Sequence, residues 1–592
     1  MATANQRSMT QMKKTLNMRS NQFLLNSAVA VVSFLQLSGL PAFGAEIMGI
    51  KPPKAGETVE VLVQYAAQPS PDHHRWVTRR NGRVRATFDH VPVAHYDVSP
   101  EALADLAADP DVVSISPNLP LKAFVDRATT SANYTPLWNQ YTAANRPKAG
   151  GIGVAILDSG MYYYHVNFNK SGGTSISRVV YSESFVGGDT LDEYGHGTHV
   201  AGIAAGVDNL GPQIAGSGVT VIRTFNGVAA DASIVNLKVL DANGNGTDAS
   251  VIAGINRAIQ LKSAYNIRVM NLSLGRPVSV SYKNDPLCQA VEAAWKAGIV
   301  VVVAAGNNGR DNSLGTQGYG TITAPGNDPY VITVGATNDK GDFDRTNDVI
   351  ATYSSKGPTA VDHIVKPDLV APGNRVDSYQ SWAAALPTQY PANQIPFSSY
   401  ALGYGSSYSP YFLTLSGTSM ATPLVTGAAA MLIDQNPAIT PDQVKAKLMR
   451  TAWRGFPATM SSAVTDPTTG ITTTYTANHD MFTIGAGQLD IWAAYNDKST
   501  PSGSAASPSV SFNSSNKTVS LQLNSTNAKN VVWGTSSPYA TNVVWGTNVA
   551  GTNVVWGTNV VWGTNVVWGT NVVWGTGTPA GESTAIAIQG EN

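Results

Sequence analysis

Ser419 lies in Gly417-Thr418-Ser419-Met420-Ala421-Thr422-Pro423, which places a hydroxyl at the mouth of a helix of small residues with a proline close behind. Such a hydroxyl is a poor nucleophile unless a base lies within hydrogen-bond reach and a third group orients that base. Histidine is the natural base, and His196 and His199 stand three apart in Gly195-His196-Gly197-Thr198-His199-Val200-Ala201-Gly202. Asp158 ends the apolar run Ile156-Leu157 and precedes Ser159-Gly160, where a carboxylate can accept an imidazole proton and fix the tautomer. Asn307 ends the run Val300-Val301-Val302-Val303-Ala304-Ala305-Gly306, so an amide side chain is delivered at the end of a buried strand. Acyl transfer needs such a donor, aimed at the developing oxyanion.

Other chemistries fit these residues less well. His196 and His199 could in principle bind zinc, but no H-E-x-x-H pattern is present and no carboxylate ligand is evident. An Asp at a strand end could hold a ribose, yet Gly150-Gly151-Ile152-Gly153 precede their strand instead of following it. The serine motif ends in Ala421, without the last glycine of G-x-S-x-G, which argues against an α/β-hydrolase elbow. Cys288, the one cysteine, lies in the helical pattern Pro286 to Trp295 and reads as a buried small hydrophobe.

The order Asp158, His196, Ser419 is the chain order of subtilisin, and the three segments resemble the catalytic motifs of the subtilisin-like serine peptidases. The resemblance extends over Pro136 to Tyr495. It implies that Ser419 is the nucleophile, His196 the general base, Asp158 its orienting carboxylate and Asn307 an oxyanion donor beside the Ser419 N–H. It also implies that His199 is structural, and that Gly244-Asn245-Gly246 and Ser273-Leu274-Gly275 pair with an extended peptide substrate. Asn308 and Thr323 match the wall and floor of the primary pocket, and neither is charged. Two departures stand out: Asp-Ser-Gly replaces the usual Asp-Thr-Gly, and Leu424 replaces a histidine that commonly follows the proline.

No cofactor is required for this chemistry. Structural calcium is common in the family, but no site can be assigned. Asp241, Asn243, Asn245 and Asp248 superficially resemble an ion loop but coincide with the substrate edge and lack a terminal Glu.

These groups need rigid elements to hold them. Apolar strands (154–157, 234–240, 267–274, 299–304, 331–334) alternate with helical patterns (196–205, 249–264 and around Val291). That alternation predicts an α/β fold with a mostly parallel sheet flanked by helices, and ligands beyond the carboxyl ends of the strands. Residues 57–124 read as a small α+β module, which by resemblance is an inhibitory propeptide acting on its own enzyme, cut within Pro120 to Ala132. Four of the nine histidines, His73, His74, His90 and His95, fall in it. Within residues 136–495, Asp208 to Gly227 reads as an expanded loop and Arg375 to Phe412 as a long insertion.

The 592 residues carry a formal net charge of −1 with 13% charged residues, so no basic stripe argues for a nucleic-acid partner. Arg7, Lys13, Lys14 and Arg19 precede an apolar run from Phe23 to Leu40 and the small-residue site Ala42-Phe43-Gly44, which reads as an export signal over 1–44. No later stretch of about 18 uninterrupted apolar residues appears, so the mature chain is not expected to span a membrane. A Ser/Pro-rich linker (496–509) leads to a tail (510–592) that begins with strand-like alternation to Leu523. It then carries six copies of Asn-Val-Val-Trp-Gly-Thr, starting at Asn530, Asn542, Asn553, Asn559, Asn565 and Asn571. The sequence thus predicts a secreted or surface-associated serine endopeptidase acting on proteins or peptides. The alternative is an adhesin, with the repeats serving surface attachment or self-association.

Overall fold

The computed structural model describes residues 46–47, 57–87, 92–117, 127–136, 147–172, 175–209, 220–221, 223–313, 315–402, 408–465, 471–513, 518–522, 588, 590 and 591. The expected export signal and the six repeats lie outside them. The chain divides into two compact units, 1–122 and 123–592.

In the first unit a five-stranded sheet has the order 46–47, 112–117, 59–65, 93–98, 83–87. Alternation in Val59–Tyr65 turns Val61, Val63 and Tyr65 inward, and they form one core with Val77, Leu103 and Leu106. The helices Pro71–Arg79 and Pro100–Ala108 both start with a serine cap followed by proline. This is the arrangement in which the missing proline N–H costs nothing.

The second unit is built on β1 (Gly153–Asp158), β2 (Val179–Ser184), β3 (Ser233–Lys238), β4 (Ile267–Leu272), β5 (Val300–Ala304), β6 (Ile332–Asn338), β7 (Val349–Ile350) and β8 (Leu369–Pro372). They form one mixed sheet in the order β7-β6-β5-β4-β1-β3-β2, with β8 also on β6, and every pairing is parallel except β6 with β7. All five residues of β5 and all six of β1 are buried, as strands covered on both faces must be. Packed on the sheet are α1 (His196–Ala205), α2 (Asp248–Tyr265), α3 (Pro286–Lys296), α4 (Thr418–Gln435) and α5 (Pro441–Thr451). Small residues let α4 run through the core against α1: a Cβ on Gly427 would stand 2.9 Å from the Ala204 carbonyl oxygen. Leu424 is fully buried inside α4.

The packed body extends beyond 136–495 at both ends. Ser131 Oγ donates to Asp348 at 2.5 Å, and Tyr134 donates to the Val228 carbonyl at 3.1 Å. The stretch expected as a linker is docked instead: Ala505 is fully buried, and Ser507 Oγ donates to Asp368 at 2.5 Å and accepts from Lys445 at 2.9 Å. Ser507 thus supplies hydrogen bonds to a buried ionic cluster, which composition alone cannot reveal. Strands Ser509–Asn513 and Thr518–Gln522 pair as a hairpin.

The described part of the insertion after Arg375 is built into this unit. Val376–Tyr379, Gln394–Pro396 and Tyr408–Leu415 form a three-stranded sheet, and the short helix Ala385–Gln389 between the first two abuts the segment that leads into α1. Ala385 and Leu386 donate backbone N–H groups to the carbonyls of Glu193 and Tyr194 at 2.8 and 2.9 Å.

Candidate active site

Asp158 is the last residue of β1, and α1 begins close to that strand end. The approach depends on Gly197: a Cβ there would stand 2.2 Å from the Gly160 carbonyl oxygen and 3.1 Å from the Asp158 Cβ. Gly195, the N-cap, has φ +103°, a left-handed conformation that glycine adopts freely. The result is a contact of 2.7 Å between His196 Nδ1 and Asp158 Oδ1. Burial alone lowers an imidazole pKa. Here the charge and hydrogen bond of Asp158, with Asp192 beyond, outweigh it and raise that of His196.

His199, one turn on, faces away from this contact. Its Nε2 lies 3.1 and 3.0 Å from the carbonyls of Val376 and Leu413, so that nitrogen carries the proton, and burial lowers its pKa to about 3. His165 is likewise buried, stacked on Tyr379, with its pKa lowered to about 4. Cys288 donates to Asn327 at 3.2 Å, and burial pushes its thiol pKa up, away from thiolate chemistry.

Ser419 is the second residue of α4. Pro423 lies one turn further and has no N–H for the Ser419 carbonyl. Ser273 Oγ supplies the missing donor at 2.8 Å, and the Ser419 hydroxyl donates to the Ser273 carbonyl at 3.1 Å. Asn307, just beyond β5, accepts both the Thr418 N–H (2.9 Å) and the Thr418 hydroxyl (3.0 Å) at Oδ1. Two donors on one oxygen fix the amide orientation and leave Nδ2 as the outward donor.

The other sequence-selected residues gather around these groups. Gly275 and Gly306 both abut Thr323: a Cβ on either would stand 2.4 Å from its Oγ1 or 2.7 Å from its Cγ2, respectively. Asn308 donates its N–H to Ser355 at 3.1 Å, and Leu274 packs on the main core. Gly244 (φ +77°) lies under the Tyr194 ring, whose centroid is 6.5 Å from that of His196. Asn245 and Gly246 continue that turn, where the Asn245 carbonyl accepts the Asp241 N–H at 2.7 Å.

The cluster Asp241, Asn243, Asn245 and Asp248 does not fit a cation. Asp241 Oδ1 accepts the N–H groups of Asn243 and Asn245 at 2.8 and 3.0 Å, and both oxygens of Asp248 bind Arg276. Among the described residues the one convergent His/carboxylate group is His73, Asp109 and Asp111, in the first unit.

Asp192 was not selected from the sequence. Fully enclosed, it accepts Ser159 Oγ (2.8 Å) and Gly195 N–H (2.7 Å) on one oxygen and Thr198 N–H (2.7 Å) on the other. Ser159 Oγ in turn accepts the Gly197 N–H at 3.0 Å, so one carboxylate organises both the first turn of α1 and the residue after Asp158. An acidic residue four positions before His196, where helix N–H groups are unpaired, was the available signal.

Known proteins resemble this chain over the region that holds these residues. Residues 149–487 match the family model described as the Subtilase family. Serine protease AprX of Bacillus subtilis (strain 168) is 34% identical over 380 residues, covering 62% of this chain and 75% of that protein. Subtilisin E of the same organism is 31% identical over 383 residues, covering 64% and 79%. Subtilisin DY of Bacillus licheniformis is 33% identical over 307 residues, covering 52% and 85%. With its Asp158–His196 contact at a parallel-strand end and Ser419 at the start of a buried helix, the chain belongs to the subtilase family and is a subtilisin-like serine endopeptidase.

Proposed function

We propose that this chain hydrolyses peptide bonds through Asp158, His196 and Ser419, with Asn307 as oxyanion donor, and is exported and activated by removal of residues 57–124. The observation that carries the reading is the 2.7 Å contact of His196 Nδ1 with Asp158, which leaves Nε2 unprotonated in the neutral ring and ready to act as base. Rotation of Ser419 from the Ser273 carbonyl towards Nε2 starts the reaction. Oγ attacks the substrate carbonyl while its proton passes to Nε2, and the oxyanion takes hydrogen bonds from Asn307 Nδ2 and the Ser419 N–H. His196 then protonates the leaving amine, and water, deprotonated by the same nitrogen, hydrolyses the acyl-enzyme. Asp158 remains ionised throughout.

The substrate lies extended between the 244–246 and 273–275 edges, and recognition by backbone pairing implies wide sequence tolerance. Thr323 and Asn308 offer an uncharged primary pocket, which favours apolar and aromatic side chains.

A fluorophosphonate probe should label Ser419 of the processed protein, and casein should be cleaved by the wild type but not by Ser419→Ala. Loss of the serine costs about a millionfold in rate in subtilisin itself, so the assay has ample range. A folded, processed protein that neither labels nor cleaves would leave the adhesin reading.

A further inference from the structure

Far along the chain, Ile588, Gly590 and Glu591 return to the catalytic unit. Glu591 is buried, and its Oε1 accepts from Arg310 at 2.9 Å, from the Thr352 N–H at 2.8 Å and from the Thr352 hydroxyl. Asn374 pairs with the Glu591 backbone in both directions, donating to its carbonyl at 2.8 Å and accepting its N–H at 2.7 Å. Gly590 has φ +60°, and a Cβ on it would stand 2.5 Å from Ser416 Oγ. Asn393 donates to the Ile588 carbonyl at 2.6 Å. The site therefore reads an apolar residue, a glycine without room for a side chain, and a carboxylate that meets a guanidinium with only 16% side-chain exposure.

Its walls are the loop that carries Asn307 and a second loop hydrogen-bonded to Gly417, just ahead of Ser419. Arg310 is three residues past Asn307 on one loop, and the Gly309 N–H donates to the Tyr353 carbonyl at 2.7 Å. On the other, Asn374 follows Gly373, whose carbonyl receives the Gly417 N–H at 2.8 Å and the Tyr353 hydroxyl at 3.0 Å. Gly417 is two residues before Ser419.

We propose that Arg310, Thr352 and Asn374 form a binding site for an acidic peptide segment, filled by this chain's own Gly590-Glu591, and that its occupancy positions Asn307 and Ser419. Glu591 is thus a positioning residue, and this second half of the proposal rests on the oxyanion role of Asn307. The hairpin of Ser509–Asn513 with Thr518–Gln522 docks on this same unit, so described residues on both sides of the six repeats in the sequence belong to one body.

The test has two arms. In the first, full-length chain lacking residues 588–592 is titrated with a fluorescent peptide of residues 584–592 and followed by anisotropy, a readout that needs no activity. Saturable binding is expected, weakened about tenfold or more by Glu591→Ala in the peptide. Absence of saturable binding, or equal binding of both peptides, overturns the site. In the second arm, kcat per fluorophosphonate-titrated serine is compared for full-length wild type, Glu591→Gln, Glu591→Lys and Arg310→Glu. The charge-altering variants should lose about tenfold in kcat with KM little changed, and the Arg310→Glu/Glu591→Lys pair should recover most of it. A role in stability alone would lower melting temperature and leave kcat per titrated serine unchanged, which overturns the positioning half. A wild type without hydrolysis would refute the proposed function while the anisotropy arm still decides the site.

Discussion

Ser273 and Ser419 exchange two hydrogen bonds: the Ser273 hydroxyl donates to the Ser419 carbonyl at 2.8 Å, and the Ser419 hydroxyl donates to the Ser273 carbonyl at 3.1 Å. The first replaces the helix bond that Pro423 cannot make. Ser273→Ala should therefore destabilise the fold by about 1–3 kcal/mol, the cost of leaving a buried acceptor unpaired. Adding Pro423→Ala should return part of that loss by restoring an N–H to the helix. Urea unfolding of the two single variants and the pair measures the coupling, and strict additivity would refute the link.

In the proposed mechanism the raised pKa of His196 sets the acid limb of activity. The base works only when neutral, so kcat/KM should rise with pH through an apparent pKa above 6.5. The stability linked to this pair runs the other way: it is fully present below about 6.5, the ordinary value, and is lost as pH rises through the raised one. Asp158→Asn should lower the acid-limb pKa and reduce kcat by about 10⁴. A pH–rate profile of both proteins checks the sign.

Asp192→Ala removes the acceptor for Ser159 Oγ and for the N–H groups of Gly195 and Thr198 together. The expected cost is about 3 kcal/mol or more of stability. Titrated kcat should also fall, because the first turn of α1 carries His196. Denaturation and active-site titration separate the two effects.

Asn307→Ala should lower kcat by about 10²–10³ with little change in KM, a scale taken from subtilisin's own oxyanion asparagine. Thr418→Val keeps the backbone N–H to Asn307 Oδ1 and removes the hydroxyl, so its loss should be smaller, about tenfold. Steady-state kinetics on one peptide substrate ranks them.

Leu424 is fully enclosed within α4, so introducing the histidine that the family resemblance leads one to expect there is predicted to harm this chain. Leu424→His places a polar ring among apolar neighbours and should cost about 1–3 kcal/mol, read by the urea midpoint.

Much of the candidate active site was legible because it is local. Asp158 and Asn307 end runs of buried residues, and a run that stops at a polar residue marks a strand end on one edge of a parallel sheet. His196 and Ser419 each open a helix of small residues, and the flanking glycines announce close backbone contact. The apolar and helical patterns also located β1, β3, β4, β5, β6, α1, α2 and α3 to within a few residues, whereas β2, β7, β8, α5 and the hairpin of Thr459–Thr465 with Thr472–Asn478 were not anticipated.

The partners across the chain were not legible in this way. Asp192 drew no reading from the sequence, Ser507 fell in the expected linker and Glu591 in the tail that carries the repeats. Each is buried by atoms tens to hundreds of positions away. The sequence by itself determined the candidate reactive groups, their order and the elements that carry them, because burial periodicity and glycine spacing are properties of neighbouring residues. Only the tertiary structure decided which buried polar group satisfies which, since a hydrogen-bond partner is chosen by distance in space and the chain returns to the site from several directions.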